Sequence, residues 1–128
     1  KTEIILFAVN YNGSFKFYPK HKHDQEIVNL FNIDQKTDKG IGSKAIGPDC
    51  SKLINNIFNK THHTYLMNSK WDVVKNNKFQ KYFLNFCNEV IKKNNIDYSL
   101  WLNFRYQCIK KKYSRLILQN KDFLAIKK

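Results

Sequence analysis

Glu3-Ile4-Ile5-Leu6-Phe7-Ala8-Val9-Asn10-Tyr11-Asn12-Gly13-Ser14-Phe15-Lys16-Phe17-Tyr18 is the stretch on which the architecture turns. Its first part is continuously apolar, and periodicity alone does not separate a short buried strand from a short buried helix. Asn12-Gly13 is a strong turn signal, and Phe15-Lys16-Phe17-Tyr18 alternates as a half-buried strand does. Two local readings stay open. In one, residues 3–9 and 15–18 are the arms of a hairpin; in the other, a helix ends at Gly13.

Pro19 and the polar run Lys20 to Gln25 read as a loop. Ile27, Phe31 and Ile33 then suggest a second strand that closes on Asp34-Gln35-Lys36. Residues 37–48, with Gly40, Gly42 and Gly47, read as a basic loop. Pro48-Asp49 opens a helix with Asp49 as its N-cap and Leu53, Ile54, Ile57 and Phe58 as its apolar stripe. Thr64 to Asn68 is a short candidate strand. Ser69-Lys70-Trp71-Asp72 has capping-box spacing, which predicts a helix start through Val73 and Val74, interrupted at Asn76-Asn77. From Lys78 to Lys93, Phe79, Tyr82, Phe83, Phe86, Val90 and Ile91 fall at helical spacing, the clearest secondary-structure signal in the chain. Asn94 to Asp97 is a loop, and Ser99 caps a helix expected to run to about Leu118. Residues 119–128 read as an extended basic tail.

The 128 residues suit a single basic α+β domain with enough apolar content for a core. No apolar run approaches the roughly 18 to 20 residues that span a bilayer, and Lys1 to Val9 lacks the order of a secretory signal, so the expectation is a soluble protein with no membrane partner. Cys50, Cys87 and Cys108 are odd in number and none lies in a CxxC pair, which suggests neither a disulfide framework nor a zinc site. A reducing compartment fits that usage.

Charge is the strongest compositional signal. The net charge is +13, and it is unevenly spread: residues 1–64 hold 9 basic and 6 acidic side chains, residues 65–128 hold 14 and 4. Such an excess favours a polyanion, because each phosphate neutralised releases condensed counterions. Lys, Asn, Ile, Phe and Tyr dominate while Arg occurs only at 105 and 115. Those abundant residues have AT-rich codons, so an AT-rich genome accounts for part of the Lys count. The basic excess survives that discount, because the same bias enriches Asn as readily as Lys but does not deplete Asp or Glu to the same degree.

Sites for chemistry are hard to assemble. His21-Lys22-His23 and His62-His63 supply imidazoles without a full ligand set for a metal. The carboxylates are scattered, and Gly40-Ile41-Gly42 with Gly47 makes no phosphate loop. The expectation is a chain that is not an enzyme, with no cofactor, metal or small-molecule substrate. Phosphate contacts are assigned to Lys110, Lys111, Lys112 and Arg115, with Lys16, Lys20 and Lys22 as a second set. Tyr11, Phe15, Phe17 and Tyr18 either stack on bases beside those lysines or face the core of a sheet.

Taken as a helix running into a strand, Ile5-Leu-Phe-Ala-Val-Asn10-Tyr-Asn12-Gly13-Ser-Phe15 resembles the signature of LAGLIDADG homing endonucleases and maturases. Ile33-Asp-Gln35-Lys36 looks like that family's second strand, and Tyr65-Leu-Met-Asn-Ser69 with Asp72-Val-Val looks like its later strand and helix start. Phe79-Gln-Lys81-Tyr82-Phe-Leu84 is similar to its Phe-Asp-Lys-Tyr-Pro-Leu. The resemblance covers residues 4 to 93. It implies an αββαββα unit with a small antiparallel sheet, followed here by a C-terminal helical extension. The family's metal-binding acidic position is matched by Asn12 and its earlier acidic position by Asn10, and neutral amides do not supply the charge a Mg²⁺ site needs. The resemblance therefore implies a catalytically inactive, nucleic-acid-binding member.

Three functions follow as expectations. The first is a structural RNA-binding component of a mitochondrial ribosome, located in the matrix and contacting ribosomal RNA and neighbouring ribonucleoprotein subunits. The second is a degenerate maturase or homing-endonuclease-like protein that binds DNA or RNA. The third is a protein-interaction module whose Lys content reflects codon bias, and whose binding is insensitive to salt.

Overall fold

The computed structural model describes residues 3–128, so the first two residues of the segment inspected for a targeting signal lie outside it. The element order is β1 (Ile4–Tyr18), α1 (Asp24–Asp34), a 3-10 turn (Gly47–Asp49), α2 (Cys50–Phe58), β2 (His62–Val73), α3 (Asn77–Lys93), α4 (Ser99–Lys110) and β3 (Arg115–Lys127). The class is α+β, as the sequence suggests. The strands form a three-stranded sheet in the order β1-β3-β2, so the last strand is the central one. Both pairings are antiparallel: the Lys127 N–H donates to the Glu3 carbonyl at 2.8 Å and the Lys128 N–H to the Thr61 carbonyl at 3.2 Å.

The opening stretch is neither a hairpin nor a helix but one continuous strand of 15 residues. Gly13 lies within it at φ 96°, a left-handed conformation of the kind glycine supplies to strand bulges. The Asn12-Gly13 signal is thus absorbed inside a strand and does not reverse the chain. The expected second strand at Ile27 to Ile33 is helix α1; Ile27, Val28 and Phe31 lie on one helical face, and all three are buried. The helix expected from Ser69-Lys70-Trp71-Asp72 does not form. β2 runs through to Val73, and α3 begins instead at Asn77, where the Asn76 side chain accepts from the Phe79 N–H at 2.9 Å.

Helix α3 is otherwise where periodicity puts it, and the loops at residues 37–46 and 94–98 are in place. The helix after Ser99 stops at Lys110 rather than Leu118, because Lys112 turns left-handed at φ 62° and the chain re-enters as β3. The apparent tail at 119–128 is mostly this central strand, with Asn120, Phe123 and Ala125 buried. Asp49 precedes α2, yet its side chain makes no cap; it binds Lys36 Nζ at 2.7 Å. The observed β-α-α-β-α-α-β order differs from αββαββα, because the segment resembling the signature helix is β1 and the segment resembling the second strand is α1.

Contacts divide the chain into two compact units, and all three strands contribute to both. Unit 1 comprises Lys1–Ser14, Gln35–Trp71 and Leu118–Lys128; unit 2 comprises Phe15–Asp34 and Asp72–Ile117. In unit 2, α3 packs against α1 and α4. The core there is aromatic: Phe15 meets Phe31 at 5.4 Å and Phe83 at 4.9 Å, and Phe17 meets Trp101 at 5.9 Å, all near edge-to-face. In unit 1, Phe123 lies against Phe58 of α2 at 5.9 Å and against Phe7 at 6.1 Å. Among the described residues no helix is long and apolar enough to cross a membrane.

Candidate nucleic-acid interface

Unit 2 carries a cleft of about 220 Å³ where the end of β1 turns into α1, and Lys16, Lys20 and Lys22 all line it, with Tyr18, His21 and Asp24. The structure therefore brings together the three lysines of the strand-loop set. Alternation places the first: Phe15 and Phe17 point into the core, so Lys16 between them points out, while Lys20 and Lys22 lie on the turn after β1. Of the two readings open for the ring residues, Phe15 and Phe17 take the second, since both are core residues. Tyr11 and Tyr18 are half-buried.

The turn that presents Lys20 and Lys22 is anchored from beneath by one residue that the sequence reading did not single out. Arg105 on α4 is fully buried, at 0% exposure. Its guanidinium donates to the Pro19 carbonyl at 2.6 Å and to Asp24 Oδ1 at 2.5 Å. Trp101 Nε1 donates to the same Asp24 oxygen at 2.8 Å, and the His21 N–H donates to Asp24 Oδ2 at 2.8 Å. The guanidinium carbon lies 5.0 Å from the Phe17 ring centroid, 5.1 Å from Phe104 and 5.6 Å from Trp101. Ring faces thus surround the guanidinium, whose Nε has no hydrogen-bond acceptor among the described residues. Both ends of the 19–24 turn are held, and the carboxylate lining the cleft is consumed from within.

Other acidic groups of unit 2 are likewise engaged. Glu26 accepts from the Tyr98 hydroxyl at 2.5 Å and lies 3.1 Å from His23 Nδ1; these contacts hold its carboxyl below the usual range and push the Tyr98 hydroxyl up. Asp34 pairs with Lys93, Asp97 accepts from the Ser99 N–H, and Asp72 takes both arms of Arg115. Among the described residues, none of Lys16, Lys20, Lys22, Lys110, Lys111 and Lys112 is in an ion pair. All six are exposed, so their charge is presented to solvent.

Arg115 is placed differently. Asp72 holds it as a fork, which raises its already high pKa further, and its guanidinium lies 5.9 Å from the Tyr18 ring centroid. It thereby joins the rim set through Tyr18. Lys110 to Lys112 occupy the last residue of α4 and the two after it, and among the described residues no side-chain hydrogen bond ties them to the cleft. His21 is driven below the usual imidazole range, first by burial and then by Arg105, with Asp24 opposing and His23 and Lys22 adding to the depression. It is neutral at pH 7, and its Nδ1 accepts from the His23 N–H at 3.2 Å, which leaves the proton on Nε2.

Among the described residues no cluster of three His, Cys, Asp or Glu side chains could hold a metal. Cys50, Cys87 and Cys108 are free thiols, and burial pushes the Cys87 thiol up, away from nucleophilic use. What the cleft offers is a cationic rim, a neutral imidazole donor and an apolar floor, which suits binding of an anion more than bond-making. The scarcity of Arg is the signal that could have pointed to Arg105. In a chain where 21 of 23 basic residues are Lys, both Arg positions are ones where a planar fork is used. No family model matches the chain, and no curated protein is significantly similar to it.

Proposed function

We propose that this is a non-catalytic RNA-binding protein with a structural role in a ribonucleoprotein particle, a mitochondrial ribosome above all. The observation that carries the proposal is the convergence of Lys16, Lys20 and Lys22 on one cleft whose own carboxylate, Asp24, is occupied by Arg105 and Trp101. Contacts from such lysines go to phosphates; they position a protein on RNA and carry little sequence information. Lys110, Lys111 and Lys112 form a second patch of the same kind. The AT-biased composition supports the mitochondrial setting, with ribosomal RNA and neighbouring subunits as partners.

The test is sedimentation of the native protein from its own cells, with and without RNase and high salt. Co-migration with a ribosomal particle, lost on RNase treatment, is the expected result. Migration as a free protein that binds duplex DNA or intron RNA with sequence preference would favour a degenerate maturase-like protein. Free migration with salt-insensitive binding to another protein would favour an interaction module.

A further inference from the structure

Phosphate contacts alone need a charged surface and no cavity. The cleft at the β1–α1 turn is a cavity, and its size limits what it takes. At about 220 Å³ it falls below the roughly 300 to 1,000 Å³ of ordinary small-molecule sites, and it holds about seven waters at ~30 Å³ each. That is room for one flat ring system. Its apolar floor, with Val28 beneath, suits a ring, and its rim of Lys16, Lys20 and Lys22 suits the charge attached to one.

Tyr18 supplies the geometry. Tyr18 lines the cleft, Arg115 lies over its ring at 5.9 Å, and Asp72 fixes Arg115 by two hydrogen bonds. A phenol ring braced in this way is preorganised for stacking against a base. The adjoining turn is held by Arg105 and Trp101 through Asp24, so little ordering remains when a ligand enters.

We infer that this cleft seats a single unpaired nucleotide, its base stacked on Tyr18 and its phosphate on the Lys16, Lys20 and Lys22 rim. The inference rests on the RNA-binding proposal and narrows it to single-stranded segments, because a base within a duplex exposes no face to a side chain. Both a ribose and a deoxyribose strand carry the required chemistry.

The experiment is fluorescence-polarisation binding of a ten-nucleotide oligouridine, its abasic counterpart of equal charge, the matching oligodeoxythymidine and a duplex RNA of equal length. The wild type is expected to bind the oligouridine about ten-fold more tightly than the abasic strand. Tyr18→Leu is expected to erase that difference and Tyr18→Phe to keep it, which separates stacking from a folding defect. Equal binding of ribose and deoxyribose strands places recognition on base and phosphate; a ribose preference adds the sugar hydroxyl as a third contact. If the abasic strand binds within two-fold of the oligouridine in wild type, or Tyr18→Leu leaves the difference intact, the nucleotide seat is overturned while RNA binding through phosphates stands. If no strand binds, both ideas fall.

Discussion

Strand β1 has two halves with opposite fates. In unit 1 its Ile4 and Leu6 side chains are each 64% exposed, whereas in unit 2 its Phe15 and Phe17 are 3% and 2% exposed. The residues are about equally apolar, so hydrophobicity does not separate them. The difference is what lies on the strand: the Phe31, Phe83 and Trp101 rings of α1, α3 and α4 meet Phe15 and Phe17. Edge strand β2 repeats the pattern of its unit 1 segment, with Tyr65, Met67 and Trp71 all at least 40% exposed. Apolar content licenses burial, and only the partner element delivers it. The candidate site lies in unit 2, where Arg105 and Trp101 hold the 19–24 turn through Asp24 and the Pro19 carbonyl.

The largest expected effect follows from that contrast. Phe17→Ala should cost about 3–5 kcal/mol in urea unfolding followed by Trp101 fluorescence in a Trp71→Phe background, since it removes a ring that both Trp101 and Arg105 use. A loss under about 1 kcal/mol would break the contrast. Next is Arg105→Met, expected to cost about 3 kcal/mol by leaving Asp24 without its charge partner. Adding Asp24→Asn should recover part of that loss, and a double-mutant cycle measures how much. Asn76→Ala should cost about 1 kcal/mol through the lost α3 cap. At the small end, Leu6→Ala should change stability by less than about 0.5 kcal/mol, because the side chain is already in water.

Acidification sharpens the same contrast through His21. Its folded pKa lies below the ordinary 6.5, so the unfolded chain takes up the proton first as pH falls. Stability should be unaffected by this group above pH 6.5 and should decline as pH drops through 6.5 towards the lowered folded value. Arg105, His23 and Lys22 disfavour the imidazolium and Asp24 favours it. Urea melts of wild type and His21→Gln over that window check the sign: the variant should lose less stability on acidification than the wild type.

The legible parts of the fold were those with a long, unambiguous period. α3 has 17 residues whose helical period is legible, although the face it buries carries Gln80, Leu84, Cys87, Val90 and Ile91, and Tyr82 and Phe86 of the expected stripe are exposed. β1 is not legible locally because Asn12-Gly13 has the chemistry of a hairpin turn, and only its strand partners decide that the chain continues through Gly13 without reversing. Leu116 fits helical spacing from Tyr113, three residues before it, as well as strand alternation with Leu118 and Asn120, so the end of α4 is not readable from periodicity. The capping-box pattern at Ser69 failed because Asp72 serves Arg115 across the sheet, a contact separated by 43 residues. Of the site, the lysines were visible as charge. The cleft they line is built by residues 15–28, where β1 turns into an α1 that reads locally as a strand, and the buried Arg105 that holds the turn depends on a contact over 81 residues that no local pattern announces.

The central claim is that the unit 2 lysines meet phosphates. Its most direct test is the salt dependence of affinity for single-stranded RNA, measured for wild type and for a Lys16→Ala, Lys20→Ala, Lys22→Ala triple variant. Each phosphate contact contributes about 0.7 to the slope of log affinity against log salt, so the variant's slope should be shallower by about 2. An unchanged slope in the triple variant, or a wild-type affinity indifferent to salt, would contradict the claim.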